Sequence, residues 1–264
     1  MDLYSYVSVE SFVRGCQLSQ TPCSFSLRVP NLMYRLPEQE IGYGLSLLRR
    51  AIVLYEEQKG IGAEHSKREI PFFRTNRRML IGPEMEMYAL PVYQSPEIPS
   101  GLKQGKSPYL RLTFDYGAIG EYSLSDDKYL LQCKYNVEEN LKTFVSQMER
   151  EYDKFFYDEE HTGFTRDSRL FSMLCNACLE VREPCFASEQ EWRIVQFCDP
   201  VNAGYDFTDG DLVPYVDYTI PFDCLRQIAL QNRAENNLTY SALAGFLQRM
   251  GLAPERYLEG MQEE

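Results

Sequence analysis

At 264 residues, with 44% hydrophobic and 25% charged side chains, the chain has a globular composition and suits one large domain or two small ones. Its formal net charge of −12 gives an acidic surface that repels nucleic-acid phosphates and anionic membranes; local basic patches and docking onto a basic protein partner stay open. No run approaches the roughly 18 apolar residues of a membrane span, so no membrane association is expected.

The opening Met1-Asp2-Leu3-Tyr4-Ser5-Tyr6 has neither the basic region nor the apolar stretch of an export signal. The eight cysteines therefore read as reduced thiols of a cytoplasmic protein. Residues 3–9 alternate like a strand, and Ser8 is placed to cap a short helix through Arg14 that Gly15 closes. Residues 24–29 alternate again and stop at Pro30. From Glu38 to Gln58, Ile41, Leu45, Leu48, Ile52 and Tyr55 recur at helical spacing, with Gly60 and Gly62 beyond. Residues 63–83 are polar and basic. Strands are expected at 84–93 and 109–116, separated by a Ser/Pro/Gly-rich loop over 94–108, and again at 128–135. Helices follow at about 137–156 and 166–182, the first presenting Val137, Leu141, Phe144, Val145, Met148 and Tyr152 on one face. Strands return at 188–198 and 212–220. The short apolar segment Leu225 to Leu230 then precedes a last helix, 239–250. With no repeat and no low-complexity linker, the pattern predicts a single α+β domain, 1–264, with a helical insertion over about 137–182.

The densest chemistry lies in Ser188-Glu189-Gln190-Glu191-Trp192-Arg193. Read as a strand, period-two alternation puts Glu189, Glu191 and Arg193 on one face and Gln190, Trp192 and Ile194 on the other. The apolar face is expected in the core, anchored by the only Trp. Two carboxylates that close raise each other's pKa, and Arg193 opposes that shift, so the group can stabilise a cation or accept a proton. The same pattern also fits a solvated strand face holding an Arg–Glu pair. Lys67 to Arg78 carries five of the 27 basic residues; Arg74, Arg77 and Arg78 can hold a pyrophosphate, or belong to a surface loop that offsets nearby acidic charge. Cys175 and Cys178, with Cys185 beyond, read as core-facing thiols, because zinc needs about four ligands and the only histidines are His65 and His161. No metal is expected. Phosphate-loop, nucleophile-elbow and zinc-helix motifs are all missing.

The string Phe186-Ala-Ser-Glu-Gln-Glu-Trp-Arg-Ile194 resembles the hallmark of a widespread family of bacterial and phage proteins of unknown function, which carries Phe-x-x-Glu-x-Glu-Trp-Arg. The likeness continues in Ile220-Pro-Phe-Asp-Cys-Leu-Arg-Gln-Ile228 and in a final helix like Tyr240 to Met250. It extends more loosely to Leu3-Tyr4-Ser5-Tyr6, Leu112-Thr113-Phe114-Asp115 and Leu130 to Tyr135. The resemblance implies a mixed, split β-core of the ADP-ribosyltransferase type that clamps NAD, within a bacterium or a phage-infected host. It implies that Tyr4 or Tyr6 contacts the NAD ribose. Glu191 would stabilise an oxocarbenium-like transition state, while Glu189 orients or deprotonates the acceptor, a protein or nucleic acid that is not stably bound. Arg193, Arg74 and Arg77 complete the implied NAD contacts. Where the family carries Ser-x-Ser and then Trp-x-x-Tyr, this chain reads Tyr88-Ala-Leu-Pro-Val-Tyr-Gln-Ser95. The rival class is a non-catalytic acidic interaction protein, of the kind used in phage defence or counter-defence, that binds a basic protein.

Overall fold

A computed structural model describes residues 1–19, 23–35, 38–61, 86–99, 108–124, 128–156, 177, 179–208, 210–231 and 236–260. In chain order its elements begin with β1 (Asp2–Ser8), α1 (Val9–Leu18), β2 (Ser24–Pro30), α2 (Leu32–Arg35) and α3 (Glu38–Lys59). Next come β3 (Glu86–Tyr93), β4 (Tyr109–Asp115), α4 (Tyr116–Tyr122), β5 (Lys128–Gln132) and α5 (Val137–Phe156). The last third holds β6 (Glu191–Cys198), β7 (Gly204–Thr208), β8 (Asp211–Pro221), β9 (Leu225–Leu230) and α6 (Asn237–Arg249). The fold is mixed α+β, and its registered strand pairs are antiparallel. No described helix is long and apolar enough to cross a membrane.

The chain forms two compact units. The first comprises Met1–Val29, Leu90–Leu130 and Asp217–Glu264; the second comprises Pro30–Ala89 and Leu131–Val216. In the first unit β4 lies between β1 and β9, antiparallel to both, with Tyr4 opposite Thr113, Tyr6 opposite Arg111 and Leu112 opposite Ile228. Alternation sorts the faces: Leu3, Leu110, Leu112, Phe114 and Ile228 are buried on one, while Tyr4, Tyr6, Arg111 and Thr113 share the other. Phe12, Phe25, Phe222 and Tyr257 join the core as a chain of tilted and edge-on rings.

Ser8 caps α1 as expected, its Oγ accepting the Ser11 N–H at 3.0 Å. The helix does not stop at Gly15, however, and runs on to Leu18. Gly15 is there for close approach: a Cβ on it would lie 1.8 Å from the Ser26 carbonyl oxygen. The segment 225–230 is a strand, β9, reached through a 3-10 turn at Phe222–Cys224.

In the second unit α3 packs on α5. The expected apolar face of α3 is buried at Ile41, Leu45, Leu48, Ile52 and Tyr55, and α5 supplies Leu141, Phe144, Met148 and Tyr152. The Tyr55 and Tyr152 rings lie 4.9 Å apart, and Tyr152 donates its hydroxyl to the buried Glu56 carboxylate at 2.8 Å. That bond satisfies a carboxylate taken out of water. β7 and β8 form a hairpin in which Phe207 faces Leu212 and Tyr205 faces Pro214. The expected strand over 188–198 starts only at Glu191; Pro184–Glu189 is a 3-10 turn, and Gln190 follows in the left-handed region with φ 45°. Most of the expected helix over 166–182 lies outside the described residues. Its end is no longer helical, since Val181 forms a parallel bridge with Lys134.

Candidate functional site

Glu191 opens β6 and Arg193 follows two residues later, so both side chains leave the same face of the strand. That face is inward, and it reverses the expected orientation: Glu191 is 5% exposed and Arg193 2%, whereas Trp192 is half-buried. The cause is counter-charge. Arg193 donates from Nε to Glu191 Oε1 at 2.7 Å and from Nη1 to the Leu179 carbonyl at 2.9 Å. Arg182, itself 6% exposed, donates from Nη1 to the other Glu191 oxygen. The same Nη1 reaches Glu189 Oε2 at 2.7 Å, and Nη2 reaches Glu40 Oε1 at 3.3 Å. Glu40 also stands 3.8 Å from Arg193 Nη2. Three carboxylates thus surround two guanidinium groups, leaving one formal negative charge in excess.

Glu189 joins this cluster by a route that strand periodicity does not give. It sits on the 3-10 turn, and the left-handed Gln190 resets the alternation, so Glu189 and Glu191 converge from different elements on one arginine. The backbone fixes Glu191 further. Its N–H donates to the Tyr135 hydroxyl at 2.8 Å, and its carbonyl accepts the Cys133 N–H at 3.0 Å. The Arg182 guanidinium lies over the Phe186 ring at 4.4 Å, which sets the aromatic residue of the motif against the charge cluster. Burial opposes the charge on Arg182, but Glu191, Glu40 and Glu189 outweigh it and hold its pKa above the ordinary guanidinium value. Cys133, beside the cluster, is pushed up to about 12 by burial, so it stays a thiol.

The other predicted residues lie elsewhere. Tyr4 and Tyr6 belong to the half-buried face of the first unit, where the Arg111 guanidinium lies 5.6 Å from the Tyr4 ring centre and bonds Glu259 at 3.3 Å. Tyr6 donates its hydroxyl to the Pro96 carbonyl at 2.6 Å and packs on Tyr93. Burial raises the Tyr6 pKa, against a smaller lowering by Arg111. Arg111 Nε and Thr113 Oγ1 are buried there without a hydrogen-bond partner among the described residues. Arg74, Arg77 and Arg78 lie outside the described residues, as do His65, His161, Cys175 and Cys178. Among the described residues no group of three or more His, Cys, Asp or Glu side chains is placed to hold a metal ion.

Sequence reasoning missed Arg182, Glu40 and Tyr135. Arg182 carried one signal: it is a lone cation between the apolar Val181 and the turn-forming Pro184. Glu40 carried none, because an acidic residue in the first turn of a helix needs no explanation beyond the helix dipole. No protein-family model matches the chain, and neither a curated protein nor a solved structure matches it.

Proposed function

We propose that the protein is ADP-ribosyltransferase-like, cleaving NAD and transferring ADP-ribose to a macromolecular acceptor. The observation that carries this reading is the convergence of Glu189 and Glu191 on Arg182 at the head of a late strand. NAD cleavage breaks the bond between ribose C1′ and the nicotinamide nitrogen. The electron pair leaves on nicotinamide, and positive charge develops on the ribose. A carboxylate held beforehand in a water-poor site opposes that charge without reorganising. The double engagement of Glu191 by arginines supports a division of labour different from that of the resemblance, with Glu191 as the positioning residue and Glu189, on the turn outside the strand, as the carboxylate that meets the ribose. The acceptor nucleophile then bonds to C1′ and gives up its proton to a base.

Purified protein mixed with NAD should release nicotinamide. With NAD at 100 times its dissociation constant, stability should rise by about 2.7 kcal/mol. The absence of both nicotinamide release and thermal stabilisation would end the reading.

The rival is a non-catalytic acidic interaction protein. It is favoured by the same double engagement of Glu191, which also describes an ion cluster built to hold β6 in place. Under that reading Glu189→Gln leaves every function intact; under the first it abolishes nicotinamide release.

A further inference from the structure

Tyr135 stands beside the charge cluster with part of its hydrogen-bonding capacity unused. Its hydroxyl oxygen accepts the Glu191 N–H at 2.8 Å. A phenol also donates one proton, and no described residue accepts it. The neighbouring Glu191 oxygens are already taken by Arg182 and Arg193. All of these residues belong to the second unit.

The backbone fixes where the proton is offered. On one side of Tyr135, Lys134 forms the parallel bridge with Val181, donating to the Glu180 carbonyl at 2.6 Å and accepting the Arg182 N–H at 3.1 Å. On the other, Asn136 holds the start of α5, its Oδ1 accepting the Glu138 N–H at 3.0 Å. The phenol oxygen therefore sits at a set place, against the peptide that joins Gln190 to Glu191. Gln190 is exposed and Tyr135 only half-buried, so this is the outer end of the cluster, next to the turn that carries Glu189. Tyr135 offers there a donor of the kind that the cluster otherwise keeps inside. Carboxylates only accept, and Arg182 and Arg193 are buried and turned toward carboxylates. Burial pushes the Tyr135 pKa up to about 12, against a smaller lowering by the Glu191 N–H, so the phenol keeps its proton at neutral pH. The charged and titratable groups around it are Cys133, Glu191 and Arg182.

We propose that Tyr135 binds substrate, donating its O–H to one hydroxyl oxygen of the NAD ribose while Glu189 accepts from the neighbouring hydroxyl. The inference rests on the NAD reading above. A purely structural phenol is distinguishable from a donating one. Accepting the Glu191 N–H survives ionisation, since a phenolate is the stronger acceptor; donation to a sugar does not. The test places a ring-fluorinated tyrosine, a stronger acid of nearly the same shape, at position 135 of the full-length protein. Nicotinamide release is then followed against NAD concentration from about pH 6.5 to about pH 9.5. The KM for NAD in the fluorinated variant should rise about tenfold as the phenol loses its proton, while the parent's KM stays level over the same range. Tyr135→Phe should raise KM by a similar factor at every pH. A level KM in the fluorinated variant, or a parental KM in Tyr135→Phe, would overturn the inference and leave the NAD reading standing. A parent protein that releases no nicotinamide would overturn both.

Discussion

Glu191 is held by two arginines, and its environment makes a strong claim about stability. Removing one partner of a buried ion pair leaves the other charge uncompensated, at a cost of about 3–5 kcal/mol. Glu191→Gln keeps the shape but takes from Arg182 and Arg193 the carboxylate they share, with Glu189 and Glu40 remaining as counter-charges, so it should lower the unfolding free energy by about 3 kcal/mol, the lower end of that range. Glu189 accepts from Arg182, and on its loss the arginine keeps Glu191 and Glu40 as counter-charges. Glu189→Gln should therefore cost about 1 kcal/mol. Urea unfolding of the two variants measures the difference, and equal losses would mean that the cluster is not organised around Glu191. The contrast also serves the functional question. A variant that folds well and releases no nicotinamide is informative only at Glu189, because loss of activity at Glu191 would accompany loss of structure.

At the scale of elements, glycines show how far local reading goes. On sequence alone Gly15 reads as a helix stop because glycine there is common, yet its role is tertiary: the Ser26 backbone occupies the place of a side chain. Gly15→Ala should destabilise by about 3 kcal/mol, as overpacking against backbone does. Gly245, in the middle of α6 with nothing near its missing Cβ, is the control. Gly245→Ala should stabilise by about 1 kcal/mol, and thermal midpoints that move the same way would refute the assignment of either residue. The same division separates what was legible from what was not. α3, α5 and β1 follow from apolar spacing, since the face that is buried is the face that repeats. The 3-10 turn before β6 was not legible, because a left-handed Gln190 has no sequence signature. β7 is not legible because it is only five residues long, and its two apolar positions, Tyr205 and Phe207, are exposed and take no part in a core. The Glu189/Glu191 association was legible, but for the wrong reason. Its true cause, Arg182, comes from a part of the chain with no periodic link to β6.

Across the whole molecule, buried thiols make stability depend on alkali. Cys16 and Cys133 are pushed up to about 12 by burial, and Cys224 to about 11, from an ordinary thiol value of 9.0. In the unfolded chain these groups lose their protons near pH 9; in the folded chain they keep them until higher pH. Stability from this source is thus fully present below about pH 9 and is lost as pH rises toward 12, because the folded state binds more protons there. Cys133 alone should contribute a fall of about 1.4 kcal/mol per pH unit across that window. Tyr135, raised to about 12 chiefly by burial, adds to the same loss at the upper end. Urea midpoints taken under reducing conditions from about pH 8 to about pH 10.5 should therefore decline steadily in the parent protein. Cys133→Ala should begin lower, through the lost packing, and decline less steeply, with Cys16, Cys224 and Tyr135 keeping some slope. Exposed Cys23 and Cys185 provide an internal check, since they should react with a thiol reagent at once while Cys133 reacts only on unfolding. Parallel declines in the parent and the Cys133→Ala variant would show that the thiol beside the charge cluster is reached by water, and with it that the cluster is not closed.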